Sequence, residues 1–287
     1  MKVAIQGEAG SNSHLAAMQS LHLTETGRSS VLEVIPCSAS AAVFEAVVRG
    51  YADLAVLPIE NSLYGSIAEH DDLLMTHDVR IVGETALRIL HNLVVMPDVR
   101  LEQVRRVLSH PVALAQCRAW LTAHPHIEAI PFYDTAGGVK HLMATADPET
   151  AGIAPALAAQ VYGAQVLIPG IEDHPENFTR FYVFERSGAG PRSSSAPEAK
   201  ADKASLAFRL KHRPGSLIEA LEVFRDFGLN LTRIASRPVP GTPWEYVFFV
   251  DVRFEEQTRL TQAAEKLTQR CLFVQELGRY RAAIDVA

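Results

Sequence analysis

Asp173-His-Pro-Glu-Asn-Phe-Thr-Arg-Phe181 is a polar stretch set between two strand-like apolar runs, Gln165-Val-Leu-Ile168 before it and Phe181-Tyr-Val-Phe184 after it. Proline, asparagine, threonine and arginine stand where a plain strand would stay apolar. Such an interruption is either a surface turn leading into an edge strand or backbone held open for a ligand. Thr179 offers a hydroxyl and Arg180 a planar fork of cationic donors. An ideal strand points these two neighbours to opposite faces. On this stretch alone the two readings stand level, and the surrounding chain decides between them.

Upstream the same pattern recurs. Val3-Ala-Ile5 reads as a buried strand entering Gly7-Glu-Ala-Gly-Ser-Asn-Ser13, with a helix from about residue 14. The run from Asp53 to Ile59 ends abruptly in Glu60, Asn61 and Ser62, then Gly65 and Ser66. Arg106-Val-Leu-Ser-His-Pro111 is a third junction, and the passage from Ala129-Ile-Pro-Phe-Tyr133 into Asp134-Thr-Ala-Gly-Gly138 a fourth. At the third, Ser109 reads locally as a helix cap, His110 as an exposed turn residue and Pro111 as a first-turn residue. Leu114, Cys117 and Leu121 mark one apolar face of the helix that follows, with Gln116 off that stripe. Alternating βα units place such junctions along one edge of a parallel sheet, and two facing lobes aim helix N-termini into one cleft. One capped helix is ordinary, but four polar junctions point to a site for a small carboxylate compound. The Gly7–Ser13 loop has neither G-x-G-x-x-G spacing nor a phosphate-loop lysine, so a nucleotide is not the expected ligand.

The remaining upstream elements fit the same plan. Leu32-Glu-Val-Ile35, Arg80-Ile-Val82, Ile89–Met96 and Ala151-Gly-Ile-Ala154 read as strands. Helices are expected from Ala39 to Val48, stopped by Gly50, and from Ala156 to Tyr162, between Pro155 and Gly163.

Downstream, Ser187 to Lys203 turns to Gly, Pro, Ser, Ala, Glu and Lys, the composition of a linker. Beyond it, Leu206–Leu210 alternates as a strand, and Ser216–Phe227 is an amphipathic helix stopped by Gly228. Leu229–Ile234 and Tyr246–Asp251 are strands, Glu255–Arg270 is a helix, and Leu272-Phe-Val274 opens a last strand. The order βαββαβ is that of a ferredoxin-like α+β unit.

The chain has 287 residues, 48% apolar and 21% charged, with a net charge of −6. That is room for two folded units with sizeable cores, and it leaves no basic footprint for nucleic acid. The three cysteines are far apart with no C-x-x-C pair, and the 11 histidines are scattered, so neither disulfide frame nor metal site is expected. The opening strand is not a signal peptide and no apolar run reaches the ~18 residues of a membrane helix. A cytoplasmic protein with reduced thiols is expected.

The spaced motifs together resemble the prephenate dehydratases that carry a C-terminal ACT domain. Pro58-Ile-Glu-Asn-Ser62 with Gly65-Ser66 is similar to the family's P-I-E-N-S-x-x-G-S, and Ser109-His-Pro with Gln116-Cys117 to its S-H-P-x-x-x-x-Q-C. Thr135-Ala-Gly resembles its T-A-x segment, and Asn177-Phe-Thr-Arg-Phe181 its N-x-T-R-F. Arg213-Pro-Gly-Ser-Leu217 and Ser236-Arg-Pro238 resemble ACT ligand motifs. The opening loop departs from G-P-x-G-T, with Glu8 and Ser11 in place of Pro and Thr, and Ala235 replaces the Glu of E-S-R-P.

The resemblance implies a two-lobed α/β catalytic domain over 1–186, like periplasmic binding proteins in its parallel and mixed sheets, then a linker over 187–203 and a ferredoxin-like ACT domain over 204–287. It implies conversion of prephenate to phenylpyruvate, CO2 and water, without cofactor or metal. Thr179 would donate to the leaving oxygen, with Ser109, Asn61 and Gln116 completing the polar network. Arg180 would clamp a carboxylate, and Phe181, Glu60, Ser62, Ser11, Ser13, Thr135, Ala136 and Gly137 would line the substrate. Arg213, Gly215, Leu217, Asn230, Ser236 and Arg237 would serve phenylalanine regulation in a homodimer or homotetramer joined through ACT domains. Arogenate dehydratase, and a non-enzymatic amino-acid sensor, are the alternative readings.

Overall fold

A computed structural model describes residues 1–24, 32–188, 201–239 and 241–283. It contains two mixed α/β lobes and a third, antiparallel unit. Residues 189–200 of the expected linker lie outside the described residues.

The first lobe is built on β1 (Lys2–Gln6), β2 (Glu33–Cys37), β3 (Leu54–Asn61), β5 (Val79–Arg88) and β11 (Phe178–Arg186), in the order β2-β1-β3-β11-β5, with β4 (Gly65–Ser66) hooked onto β3. The first three run parallel, and β11 runs antiparallel to both β3 and β5. Val3, Ile5, Val56, Phe181 and Val183 form one face, against Ala16 and Ala17 of α1 (Asn12–Thr24). Tyr182 and Phe184 face the other way, against α2 (Ser40–Val48), α3 (Ala68–Thr76) and the third unit. Phe44 stacks on Phe184 at 4.6 Å between centroids. Burying a side chain of that size contributes about 2–3 kcal/mol.

The second lobe holds β6 (Asn92–Val95), β7 (Arg106–Ser109), β8 (Glu128–Pro131), β9 (Thr150–Ala154) and β10 (Gln165–Ile168), in the order β10-β6-β9-β7-β8. Asp134 caps α6 (Thr135–Thr145) by accepting from the Gly137 N–H at 2.7 Å. α7 (Ala156–Tyr162) has the expected bounds, with Gly163 leaving it in the left-handed conformation. The helix expected through Leu114, Cys117 and Leu121 is instead two short pieces, α4 (Pro111–Ala115) and α5 (Arg118–Ala123). The break has a visible cause: Asp173 accepts from the Arg118 and Ala119 N–H groups at 3.0 and 2.9 Å and caps a new start. Two chain crossings join the lobes, 88–92 and 169–177, and they bond to each other through Ile89 N–H to Asn177 O (2.7 Å) and Ile171 N–H to His91 O (2.8 Å).

The third unit follows the expected βαββαβ order: β12 (Lys203–Arg209), α8 (Ser216–Asp226), β13 (Asn230–Pro238), β14 (Tyr246–Arg253), α9 (Gln257–Arg270) and β15 (Phe273–Tyr280). Its sheet, β13-β14-β12-β15, is antiparallel throughout. Residue 203, assigned by composition to the linker, is already in β12. The unit packs onto the first lobe through Ala207, Phe249, Leu277 and Tyr280. There β15 and β5 pass so closely that a Cβ at Gly278 would lie well inside contact distance of the Ile81 carbonyl.

Candidate active site

The C-terminal ends of β1 and β3 and the N-terminal end of β11 share one edge of the first sheet, because β11 is antiparallel. That geometry pairs Asn61 with Thr179. The Asn61 amide is oriented without ambiguity: its Oδ1 accepts from the Leu63 and Tyr64 N–H groups at 3.0 and 3.1 Å. Its Nδ2 therefore faces β11, donating to Thr179 Oγ1 at 2.9 Å and to Asn177 Oδ1 at 2.8 Å. A hydroxyl that accepts from an amide keeps its own proton to give away. Ser62 stitches the same edge, accepting from Phe178 N–H at 3.0 Å.

Ser109 and Gln116 belong to the second lobe. Ser109 is not the cap of α4: its hydroxyl donates to Ile153 O at 2.6 Å, and His110 Nδ1 takes the capping role, accepting from Val112 N–H at 3.3 Å. Gln116 Oε1 accepts from His91 Nε2 at 2.7 Å, which ties it to the first crossing. His91 is buried, its pKa lowered by that burial, and its Nδ1 has no hydrogen-bond partner. Asn177 is equally buried and its Nδ2 is likewise unpartnered. Neither residue was singled out by sequence. Asn177 lay within a recognised motif, but His91 carried no local mark.

The lobes meet across the junctions at 7–13 and 134–138. Tyr133 Oη donates to Glu8 Oε1 at 2.8 Å and Lys140 Nζ to Oε2 at 2.9 Å. Burial alone would raise the Glu8 carboxyl, but hydrogen bonds from Lys140 and Tyr133 and the lysine charge hold it below its usual value. Burial and the bond to Glu8 push the Tyr133 phenol up to about 12. Asp134, opposite Gly7, is raised by burial despite N–H donors from Gly137 and Glu8. Ser11 accepts from His14 N–H at 3.4 Å, Ser13 is buried in α1, and Thr135 opens α6. Gly137 leaves room for the Tyr133 ring, which a Cβ there would meet at 2.7 Å.

Four expected substrate contacts are corrected, Glu60 among them, since it faces Arg180 and not Thr179. Phe181 is a core residue of the first lobe, and Ala136 is fully buried in the core of the second. Arg180 points away from Thr179, and its guanidinium is taken by Glu60 at 3.1 Å, Glu84 at 2.9 Å and Asp251 at 2.6 Å. Desolvation would lower its pKa, but the charges of Asp251, then Tyr182, Glu84 and Tyr280, raise it.

In the third unit a hollow of about 120 Å³ is lined by Arg213, Leu217, Ser216, Lys211, Trp244 and Tyr246, among others. Gly215, at φ +84°, turns the chain into α8 beside it. Arg213 is paired with Glu219, while Asn230 and Ser236 lie exposed on β13. Arg237 is corrected as a ligand contact: it pairs with Asp72 of α3 at 2.5 Å. Among the described residues no cluster of His, Cys, Asp and Glu could hold a metal, and no helix is long and apolar enough to cross a membrane.

The family model described as prephenate dehydratase matches residues 3–189, and that of the ACT domain matches 204–266. Arogenate dehydratase/prephenate dehydratase 2 of Arabidopsis thaliana is 37% identical over 291 residues, covering 98% of this chain and 72% of that protein. Among solved structures, prephenate dehydratase in complex with L-Phe from Arthrobacter aurescens aligns with a TM-score of 0.84 and 32% identity, over 98% of this chain and 90% of that one. A protein described as GqqA, a novel type of quorum quenching acylase, aligns with a TM-score of 0.86 and 32% identity, over 99% and 98%.

Proposed function

The chain belongs to the prephenate dehydratase family, with an ACT domain at its C-terminal end, and from that premise we propose that Thr179 is the group that assists the departing hydroxyl. The protein is a carbon–oxygen lyase that converts prephenate to phenylpyruvate, CO2 and water. In that reaction the bond to the ring carboxylate breaks and its electron pair moves through the ring. The C–O bond on the far side then breaks, and the leaving oxygen takes a proton to become water. Aromatisation supplies the drive, so the protein's task is orientation and stabilisation of the leaving oxygen. A threonine hydroxyl is too weak an acid to surrender its proton outright. It polarises the leaving oxygen, or relays a proton to it, through a hydrogen bond.

The observation that carries this role is the fixed Asn61 amide. Locked by two backbone N–H groups, it donates to Thr179 and leaves the threonine proton free to be donated. Asn61, Ser109 and Gln116 are assigned to the polar network around the substrate. Ser62, Ser11, Ser13, Thr135 and Gly137 frame it, with 1–186 as the catalytic unit and 187–202 as linker. The deciding assay incubates purified protein with prephenate and follows phenylpyruvate absorbance in base. No phenylpyruvate above the uncatalysed rate would remove the assignment.

Arogenate, the amino-acid analogue, undergoes the same elimination, and the Arabidopsis relative's name includes both activities. Side-by-side kcat/KM values rank the two substrates. Acyl hydrolysis, the activity in the GqqA description, finds less support. It needs a nucleophile beside a base within reach of substrate. The Ser40–His70 pair, 2.9 Å apart, has the chemistry but not the access, being 1% and 3% exposed.

Phenylalanine is the proposed effector of the ACT domain, supported by the L-Phe complex of the Arthrobacter protein and by the hollow beside Arg213 and Leu217. A cytoplasmic homodimer or homotetramer joined through ACT domains completes the proposal. Calorimetry with L-phenylalanine and light scattering test these two parts.

A further inference from the structure

Arg180 stands one residue beyond Thr179 and on the opposite face of β11, where the C-terminal unit docks. Two adjacent rungs of the β3–β11 ladder carry both groups. Asn61 pairs with Thr179 in one, and Glu60 with Arg180 in the next. Between Arg180 and Phe181 the register to β3 slips. A uniform ladder therefore does not dictate the backbone here, and such a bulge re-aims the side chains beside it.

What holds this segment comes largely from the C-terminal unit. Asp251, on β14, meets Arg180 Nη1 at 2.6 Å. It is itself held at Oδ1 by the Tyr182 hydroxyl at 2.6 Å and the Ser205 hydroxyl at 2.7 Å. Glu84, which accepts from Nη1 at 2.9 Å, is gripped by Lys203 Nζ at 2.8 and 2.9 Å and by the Ala283 N–H at 2.9 Å. A guanidinium is a rigid fork, so carboxylates around it fix direction as well as charge. Removing one partner from such a buried cluster leaves an uncompensated charge that drives rearrangement.

We propose that Asp251 is a positioning residue for the reaction: acting through Arg180, the ACT domain fixes the backbone at residues 179–181 and thereby the aim of the Thr179 hydroxyl. An effector on that domain acts on catalysis by loosening this hold, a corollary that rests on the phenylalanine reading above.

The test is steady-state kinetics with prephenate on the full chain. Asp251→Asn keeps the shape and the hydroxyl contacts but removes the charge. It lowers kcat at least fivefold, with KM within twofold and an unchanged far-UV circular dichroism spectrum. Ser205→Ala, which removes one donor to Asp251 and no charge, moves kcat in the same direction by less. Asp72→Asn breaks the half-buried pair with Arg237 at the same interface, away from β11, and leaves kcat at the wild-type value. Wild-type kcat in folded Asp251→Asn, or an equal loss in Asp72→Asn, overturns the proposal. If Asp251→Asn does not fold, unchanged kcat in Ser205→Ala overturns it. Titrating the same proteins with L-phenylalanine separates the two readings. A flat wild-type response removes phenylalanine sensing while the kcat comparison still decides the role of Asp251. A wild-type response that persists undiminished in Asp251→Asn removes the corollary.

Discussion

At the scale of single residues, the assignment turns on which proton Thr179 can give away. Because the Asn61 amide occupies one lone pair of the threonine oxygen, the hydroxyl proton is directed elsewhere. Thr179→Ala is therefore expected to lower kcat by about 10²–10³, the usual effect of losing one preorganised donor. Thr179→Ser, which keeps the hydroxyl, retains most activity. Equal losses in both, measured by phenylpyruvate formation, would show that the methyl group and not the hydroxyl matters. This pair is legible in the sequence because Asn61 and Thr179 each sit in a motif with unusual polar content for a strand end. Ser109 reads locally as a cap because the sequence places it before Pro111. Only the folded chain shows that Ile153 O claims its hydroxyl. His91 was invisible, since a lone histidine after Ile89 looks the same whether it faces solvent or holds Gln116.

At the scale of elements, the glycines at element ends serve two different purposes. Gly50, Gly163 and Gly228 each follow a helix at positive φ, as their positions suggested. Gly10 has a different duty. Its φ is +90°, and a Cβ there would lie 2.7 Å from the Ala158 Cα at the start of α7. Its opponent is backbone, which cannot swing aside as a side chain can. Gly10→Ala is expected to hold the lobes apart and to cost about 1–3 kcal/mol through the disfavoured conformation alone. The measurable consequences are a lower melting temperature, a larger radius of gyration by small-angle scattering, and a loss in kcat/KM. An unchanged radius with normal activity would show that the loop yields without moving the lobes. The strand β11 illustrates what periodicity can and cannot supply. Alternation correctly separates Thr179 from Arg180, yet nothing local to Arg180 announces Asp251, which comes from another folded unit 71 positions on.

At the scale of the whole molecule, the ferredoxin-like order of the last third was readable from strand and helix periods, but its docking was not. Docking depends on pairs such as Arg233 with Asp71 and Arg237 with Asp72, whose members are remote in sequence. The chain also hides ionisable groups in neutral form, and this sets its response to acid. His70 and His91 are both lowered by burial, outweighing the bonds to Pro58 O and Gln116. In the unfolded chain they titrate near the ordinary value of about 6.5. Above that pH neither state binds these protons, and the full stability is present. As pH falls below it, the unfolded chain takes up protons that the folded chain refuses. Stability is then lost until the lowered native values are passed, by about 1.4 kcal/mol per pH unit for each histidine inside its window. The midpoint of urea unfolding should therefore fall as pH is lowered below about 6.5. His91→Gln removes one of these contributions, to which His14, also lowered by burial, adds, while leaving the carboxylates to titrate alike in both proteins, so its midpoint should fall less steeply. Parallel slopes in the two proteins would mean that His91 takes up its proton, at Nδ1, in the native state.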